Sequence, residues 1–185
     1  MTVLAAAVVF LGLLCLLNLL FTLGVIRRLR QHTEQLAALP NHDQAMEPIK
    51  LAPGSRVGEF SAITTEGVHV TDASLEQGAL VAFLSATCPA CAEQLPAFVE
   101  RLKNYSLPRD LIYVFLVGEE EKLETMKAEL SPLAQVAIQP FGGPVSKAFQ
   151  VAAFPSFILL SAGARIVGAS VSPDELPALP EAVAQ

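Results

Sequence analysis

Cys88 and Cys91, separated by Pro89 and Ala90, are the residues whose type and spacing can do chemistry in this chain. Two thiols this close can close a disulfide ring, and a thiolate is the species that attacks another disulfide. The apolar run Ala79-Leu80-Val81-Ala82-Phe83-Leu84 just before the pair reads as a buried strand, so the motif falls where a strand ends and a helix begins. Unpaired backbone N–H groups and the helix dipole at that junction favour a thiolate on Cys88. Cys91 can then close the ring. Pro89 and Ala90 carry neither charge nor imidazole, so they bias the pair towards neither a strong oxidant nor a strong reductant.

The elements that must position the pair follow from periodicity. Gly67 to Val70 reads as a short strand and Ala79 to Ser85 as a buried one. Cys88 to Asn104 reads as a helix with apolar Leu95, Phe98, Val99 and Leu102. Leu111 to Val117 is a continuous apolar run typical of a central parallel strand, followed by a helix from about Glu119 to Leu130 and a strand at Ala134 to Ile138. The alternation implies a parallel sheet sandwiched by helices. After a short helix near Val145 to Phe149, Ser156 to Leu160 and Arg165 to Gly168 flank Ala162-Gly163 as a hairpin at one sheet edge. A last helix comes after Ser172, an expected N-cap with Pro173 at N1. Pro155, after Phe154, stands at a strand entry, where a proline can occupy a tight turn with a cis bond. The sequence alone leaves the isomer open.

Residues 1–30 read as a membrane anchor with a basic flank, 31–53 as a tether and 54–185 as the redox domain. From Val3 to Ile26 there is no charged residue, and at about 1.5 Å per residue such a helix crosses a hydrocarbon core of roughly 30 Å. A cleaved leader would carry a basic start, a shorter apolar stretch and a small-x-small cleavage site, and Met1-Thr2-Val3 has no basic side chain. Cys15 lies between Leu14 and Leu16, where lipidation would need a small residue before it, and reads as lipid-facing filler; Asn18 and Thr22 read as local or interhelical bonding groups. Gln31 to Leu39 can extend the helix, and Pro40, Pro48 and Pro53 break the segment Asn41 to Gly54 into an extended tether. Arg27, Arg28 and Arg30 come directly after the span, and the positive-inside rule taken alone keeps the domain in the cytoplasm. Disulfide chemistry is more natural outside it.

Charge and ligand counts narrow the function further. Residues 51–185 hold 8 basic and 15 acidic side chains, a net charge of −7, which argues against nucleic acid as a partner. Glu119-Glu120-Glu121 reads as the solvated first turn of a helix. A zinc module would need two ligands beyond Cys88 and Cys91, and only His32, His42 and His69 are available, two of them in the tether. A non-catalytic interaction module that keeps the cysteine pair for structure is a further alternative.

A Cys-Pro-x-Cys ending a strand, Phe154-Pro155-Ser156 opening a later one, and the hairpin Phe157 to Gly168 together resemble the thioredoxin-like fold, a central mixed sheet flanked by helices. The single N-terminal span, the Gly58-Glu59-Phe60 entry followed by Gly67 to Thr71, and the extra βα unit between cysteine pair and proline are similar to the membrane-anchored TlpA/ResA/MauD branch of disulfide reductases. The segment Phe83 to Cys91 is most similar to the MauD type, whose members lack the tryptophan that usually precedes the motif. The resemblance implies that Cys88 is the attacking thiolate, Cys91 the resolving thiol, and Pro155, after Phe154, a cis-proline that docks substrate backbone, with Thr87, Pro89 and Ala90 tuning the motif. It implies a protein disulfide or dithiol as substrate, an upstream membrane or thioredoxin-type electron donor, the lipid bilayer as the N-terminal helix's partner, no cofactor, and a domain on the extracytoplasmic side. Gln94 stands where cytochrome-maturation members carry a glutamate, with Glu93 one position early, which argues against a cytochrome substrate. Ala79 to Leu84 holds no counterpart of the buried acid of many thioredoxins, leaving proton transfer to water or Glu93. A peroxiredoxin would share the fold, but Val81 and Ser85 stand where its Pro-x-x-x-Thr-x-x-Cys signature needs Pro and Thr.

Overall fold

The computed structural model describes residues 48–104 and 107–176, together with positions 10, 12, 14 and 16–18 near the amino terminus. The chain divides into two compact units, 1–44 and 45–185. In the first, the described positions are helical, and Phe10, Leu14, Leu16 and Leu17 are exposed. Among the described residues no helix is long and apolar enough to cross a membrane. Apart from positions 10, 12, 14 and 16–18, the expected span Val3 to Ile26 lies outside the described residues, and so does most of the expected tether.

The second unit is organised by β3 (Ala79–Ser85), all seven residues of which are buried. A strand apolar on both faces must be covered on both. Parallel partners lie on one side, β4 (Ile112–Val117) and then β5 (Gln135–Gln139), and the antiparallel pair β6 (Ser156–Ser161) and β7 (Arg165–Ser170) on the other, giving the order β5-β4-β3-β6-β7. The sheet is therefore mixed. Leu80, Ala82 and Leu84 join one core with Leu95, Phe98 and Leu102 of α1 (Pro89–Asn104) and Leu123, Met126 and Leu130 of α2 (Glu120–Leu130). Val81 and Phe83 join the other, where Phe83 stacks on Phe115 with ring centroids 5.3 Å apart and meets Phe149 at 5.2 Å. That second face is covered by α3 (Pro144–Ala148) and by a separate hairpin of β1 (Ser61–Ile63) and β2 (His69–Thr71). The short strand expected at Gly67 to Val70 is thus β2, shifted towards Thr71, with β1 as its partner.

Two sequence expectations are corrected. Ser172 starts only a 3-10 turn, Pro173–Glu175, and its side chain makes no cap; the Ser170 hydroxyl accepts the Ser172 N–H at 3.0 Å instead. Residues 177–185 lie outside the described residues. Pro48 to Lys50, expected in the tether, are packed on the domain. Ile49 is 4% exposed and bridges to Val151, and the Pro48 carbonyl accepts Ala152 N–H at 2.8 Å and the Ser156 hydroxyl at 3.2 Å. This strap clamps the segment leading into β6.

Candidate active site

Strand and helix meet at the cysteines for local reasons. β3 ends at Ser85, whose carbonyl accepts the Cys88 N–H at 3.2 Å in a turn. The Cys88 carbonyl then accepts Cys91 N–H at 3.1 Å, and Pro89 opens α1 at a position where its missing N–H costs nothing. One turn on, Cys91 starts the stripe Cys91, Leu95, Phe98, Leu102 that faces the sheet. Spacing alone therefore separates the two thiols, leaving Cys88 part-exposed and Cys91 fully buried.

Their surroundings differ accordingly. The two cysteines are not joined by a disulfide in this structure. The Cys91 N–H donates to Cys88 Sγ at 3.3 Å, and the Cys88 thiol donates to the Phe154 carbonyl at 3.3 Å. Cys91 Sγ accepts the Ser85 N–H at 3.4 Å. Burial pushes the Cys91 thiol up to about 12; its hydrogen bond with the Cys88 sulfur and that sulfur's charge act the same way, and the Ser85 N–H opposes them. Cys91 thus keeps its proton at neutral pH. None of the buried polar side chains among the described residues is a carboxylate, and Glu93 is exposed.

Strand register brings the proline to the cysteines. Ser156 of β6 lies opposite Phe83 of β3, so the residues before β6 reach the end of β3 where the cysteine turn sits. The Phe154–Pro155 peptide bond is cis, and Pro155 is buried. Phe154 is half-buried and supplies the carbonyl that touches Cys88. Thr87 is exposed, with its hydroxyl 3.1 Å from that of buried Ser85, and Pro89 and Ala90 are exposed on the first turn of α1. The structure therefore gathers Cys88, Cys91, Phe154 and Pro155 at one place, with Thr87, Pro89 and Ala90 around it.

Three features of the site have no periodic mark in the sequence. Ser85 binds Cys91 through its backbone, which any residue type could do. Phe141, 57% exposed, packs edge-on to Phe154 with centroids 6.2 Å apart. It closes a largely apolar trough of about 210 Å³ formed by Ala86 and Thr87 after β3, Val117 and Gly118 at the end of β4, and Pro140 after β5. Its one available signal was an aromatic in the Pro/Gly-rich loop beyond a parallel strand, where open α/β sheets place ligands. Phe154 itself lines a second pocket of about 390 Å³, together with Lys50 and Lys147 among others. Among the described residues no three His, Cys, Asp or Glu side chains are grouped to hold a metal ion.

No family model and no curated protein matches the chain. Solved structures do. The chain is similar to the thioredoxin domain of a thiol-disulfide oxidoreductase from Bacteroides vulgatus, with a TM-score of 0.55 and 20% identity over 73% of this chain and 94% of that one. A thio-disulfide isomerase from Thermus thermophilus gives 0.53 and 19%, over 72% and 92%. A thiol:disulfide interchange protein from Bacteroides sp. gives 0.53 and 21%, over 67% and 84%. At such identities the likeness is one of fold, and with the mixed sheet and its order, the chain has the thioredoxin-like α/β fold.

Proposed function

We propose that the chain is a membrane-anchored thiol-disulfide oxidoreductase that exchanges disulfides with a partner protein through Cys88 and Cys91. The observation that carries this reading is the asymmetry of the pair. Cys88 is reachable and accepts a backbone N–H, whereas Cys91 is buried directly behind it and holds its proton. Cys88 as thiolate attacks one sulfur of the partner's disulfide, forming a Cys88–partner bond and releasing the other sulfur as a thiolate. Cys91 then attacks Cys88, its proton passing to solvent or to the departing thiolate. The partner leaves as a dithiol and the enzyme as the Cys88–Cys91 disulfide. A dithiol donor, membrane-borne or of the thioredoxin type, returns two electrons. The resemblance of the Phe83 to Cys91 segment to the MauD type supports that subtype within this class, and Pro155 with Phe154 would line the partner's backbone.

Full-length protein titrated against glutathione and dithiothreitol buffers, with thiols counted by alkylation mass shift, tests the reading. A reversible two-electron couple between Cys88 and Cys91 is expected, with a tenfold change in equilibrium constant per ~30 mV. Failure to form that disulfide would remove the proposal.

Anchoring is supported by the uncharged run Val3 to Ile26 and by exposed apolar side chains on its helical described positions. The domain is placed outside the cytoplasm, because persistent disulfide partners are found there, against the bias of Arg27, Arg28 and Arg30. A cysteine introduced as Asn41→Cys should react with a membrane-impermeant maleimide in intact cells. Protection until the membrane is permeabilised would reverse the topology.

A further inference from the structure

We infer that the pocket beside Phe154 receives a carboxylate side chain from the partner protein, adjacent in sequence to its reactive cysteine, so that Cys88 prefers disulfides set in acidic segments. This deepens the oxidoreductase reading and rests on it. The pocket, about 390 Å³, is walled by Lys50, Ser146, Lys147, Gln150 and Phe154 among others, and no carboxylate lines it. It shares Phe154 with the redox centre, since the carbonyl of that residue accepts the Cys88 thiol at 3.3 Å. A chain whose disulfide reaches Cys88 therefore passes this wall.

Charge points to the occupant. Residues 51–185 carry a net −7, and Arg56, Arg101, Arg109, Lys122 and Lys127 each have a carboxylate partner. Lys50, Lys103, Lys147 and Arg165 have none among the described residues, although acidic side chains outnumber basic ones almost two to one in residues 51–185, and of these four Lys50 and Lys147 line one pocket together. Two unpaired cations on one wall of an acidic domain attract a negative group and repel a positive one. Ser146 adds a polar wall: it is 7% exposed, and its buried hydroxyl has no hydrogen-bond partner among the described residues. Buried polar groups are normally paired, so this hydroxyl is a spare donor in the same wall.

The cations are also fixed at their bases. The Lys50 N–H donates to the Gln150 carbonyl at 3.1 Å, next to the bridge between Ile49 and Val151, and the Lys147 N–H donates to the Gly143 carbonyl at 3.1 Å. The strap thus delivers Lys50 to the rim of the pocket formed by the segment that enters β6. A peptide carboxylate suits an open wall of this kind, because the same polypeptide supplies both the charged group and the disulfide.

Reduced full-length protein should be mixed with three disulfide peptides identical except for Glu, Gln or Lys beside the cysteine, and second-order rate constants measured at low salt. The order Glu, Gln, Lys is expected, with Glu about tenfold faster than Lys at two exposed charge pairs. Lys50→Gln/Lys147→Gln should bring the three rates within about twofold of one another, and high salt should do the same to the parent protein. Equal rates for all three peptides would overturn the inference, and so would a Glu preference that survives the double substitution. Both lysine side chains are exposed, and an unaltered reduction potential and circular dichroism spectrum check that the variant is folded. No reaction with any peptide would instead remove the oxidoreductase reading beneath it.

Discussion

Cys88→Ser is expected to lower the rate of disulfide exchange by at least ~10³-fold, the scale on which an enzyme without its nucleophile falls. A serine hydroxyl keeps the position and the hydrogen bond to the Phe154 carbonyl, so the loss reads the sulfur and not the fold. Cys91 cannot take over. Burial is the largest cause of its raised pKa and remains in the variant, so Cys91 stays largely protonated at pH 7 there too. Iodoacetamide makes the same point independently: at pH 7 to 8 the parent redox domain should take up one carbamidomethyl group, the Cys88→Ser domain none, and in urea Cys91 should react in both. Turnover of the serine variant above a tenth of the parent would remove Cys88 as the attacking group.

The parts of the fold visible in the sequence are those whose burial writes a pattern. Ala79 to Leu84 is apolar without interruption because both faces of β3 are covered, and the expected strand Ala79 to Ser85 agrees with the observed one. The stripe Leu95, Phe98, Leu102 marks α1 because one side of that helix faces the sheet. β1 left no such mark: Ser61 and Ile63 are exposed, Ala62 is half-buried, and three residues are too few for alternation to be read. The strap escaped for a different reason. Ile49 and Leu51 stand between Pro48 and Pro53, too short a stretch to show a period, and the burial of Ile49 depends on pairing with Val151, about a hundred positions away in the chain. Missing the strap also hid Lys50, which the strap carries to the pocket beside Phe154. Cys88, Cys91 and Pro155 were legible because their chemistry is carried by residue type. Phe141, Lys50 and Lys147 were not, since their role depends on which loops meet at the ends of β3 and β5 and at the entry to β6, a matter of sheet order.

Cys91→Ser should separate the two halves of the reaction. Cys88 still attacks, but the mixed disulfide can be opened only by a thiol from solution. A sulfur held behind Cys88 acts as a reagent at high effective concentration, so at millimolar external thiol the release step should slow by at least ~10³-fold. The covalent adduct then becomes the main species on a non-reducing gel after one turnover, and dithiothreitol disperses it. The buried site tolerates the exchange in part, since the Ser85 N–H still finds an acceptor; Cys91→Ala, which buries no hydroxyl, gives the same trap if the serine variant is poorly folded. The parent protein supplies the pH arm. Cys91 must lose its proton to attack, and its pKa is pushed up to about 12, so below that value its thiolate fraction rises tenfold per pH unit. Once Cys88 is tied to the partner its negative charge is gone and one cause of the shift with it, yet burial persists. Release from a preformed adduct should therefore accelerate steadily from pH 7 to pH 9, and the Cys91→Ser adduct should show no such rise in the absence of external thiol. A pH-independent release in the parent, or an adduct that never accumulates in the variant, would mean that Cys91 is not the group that resolves it.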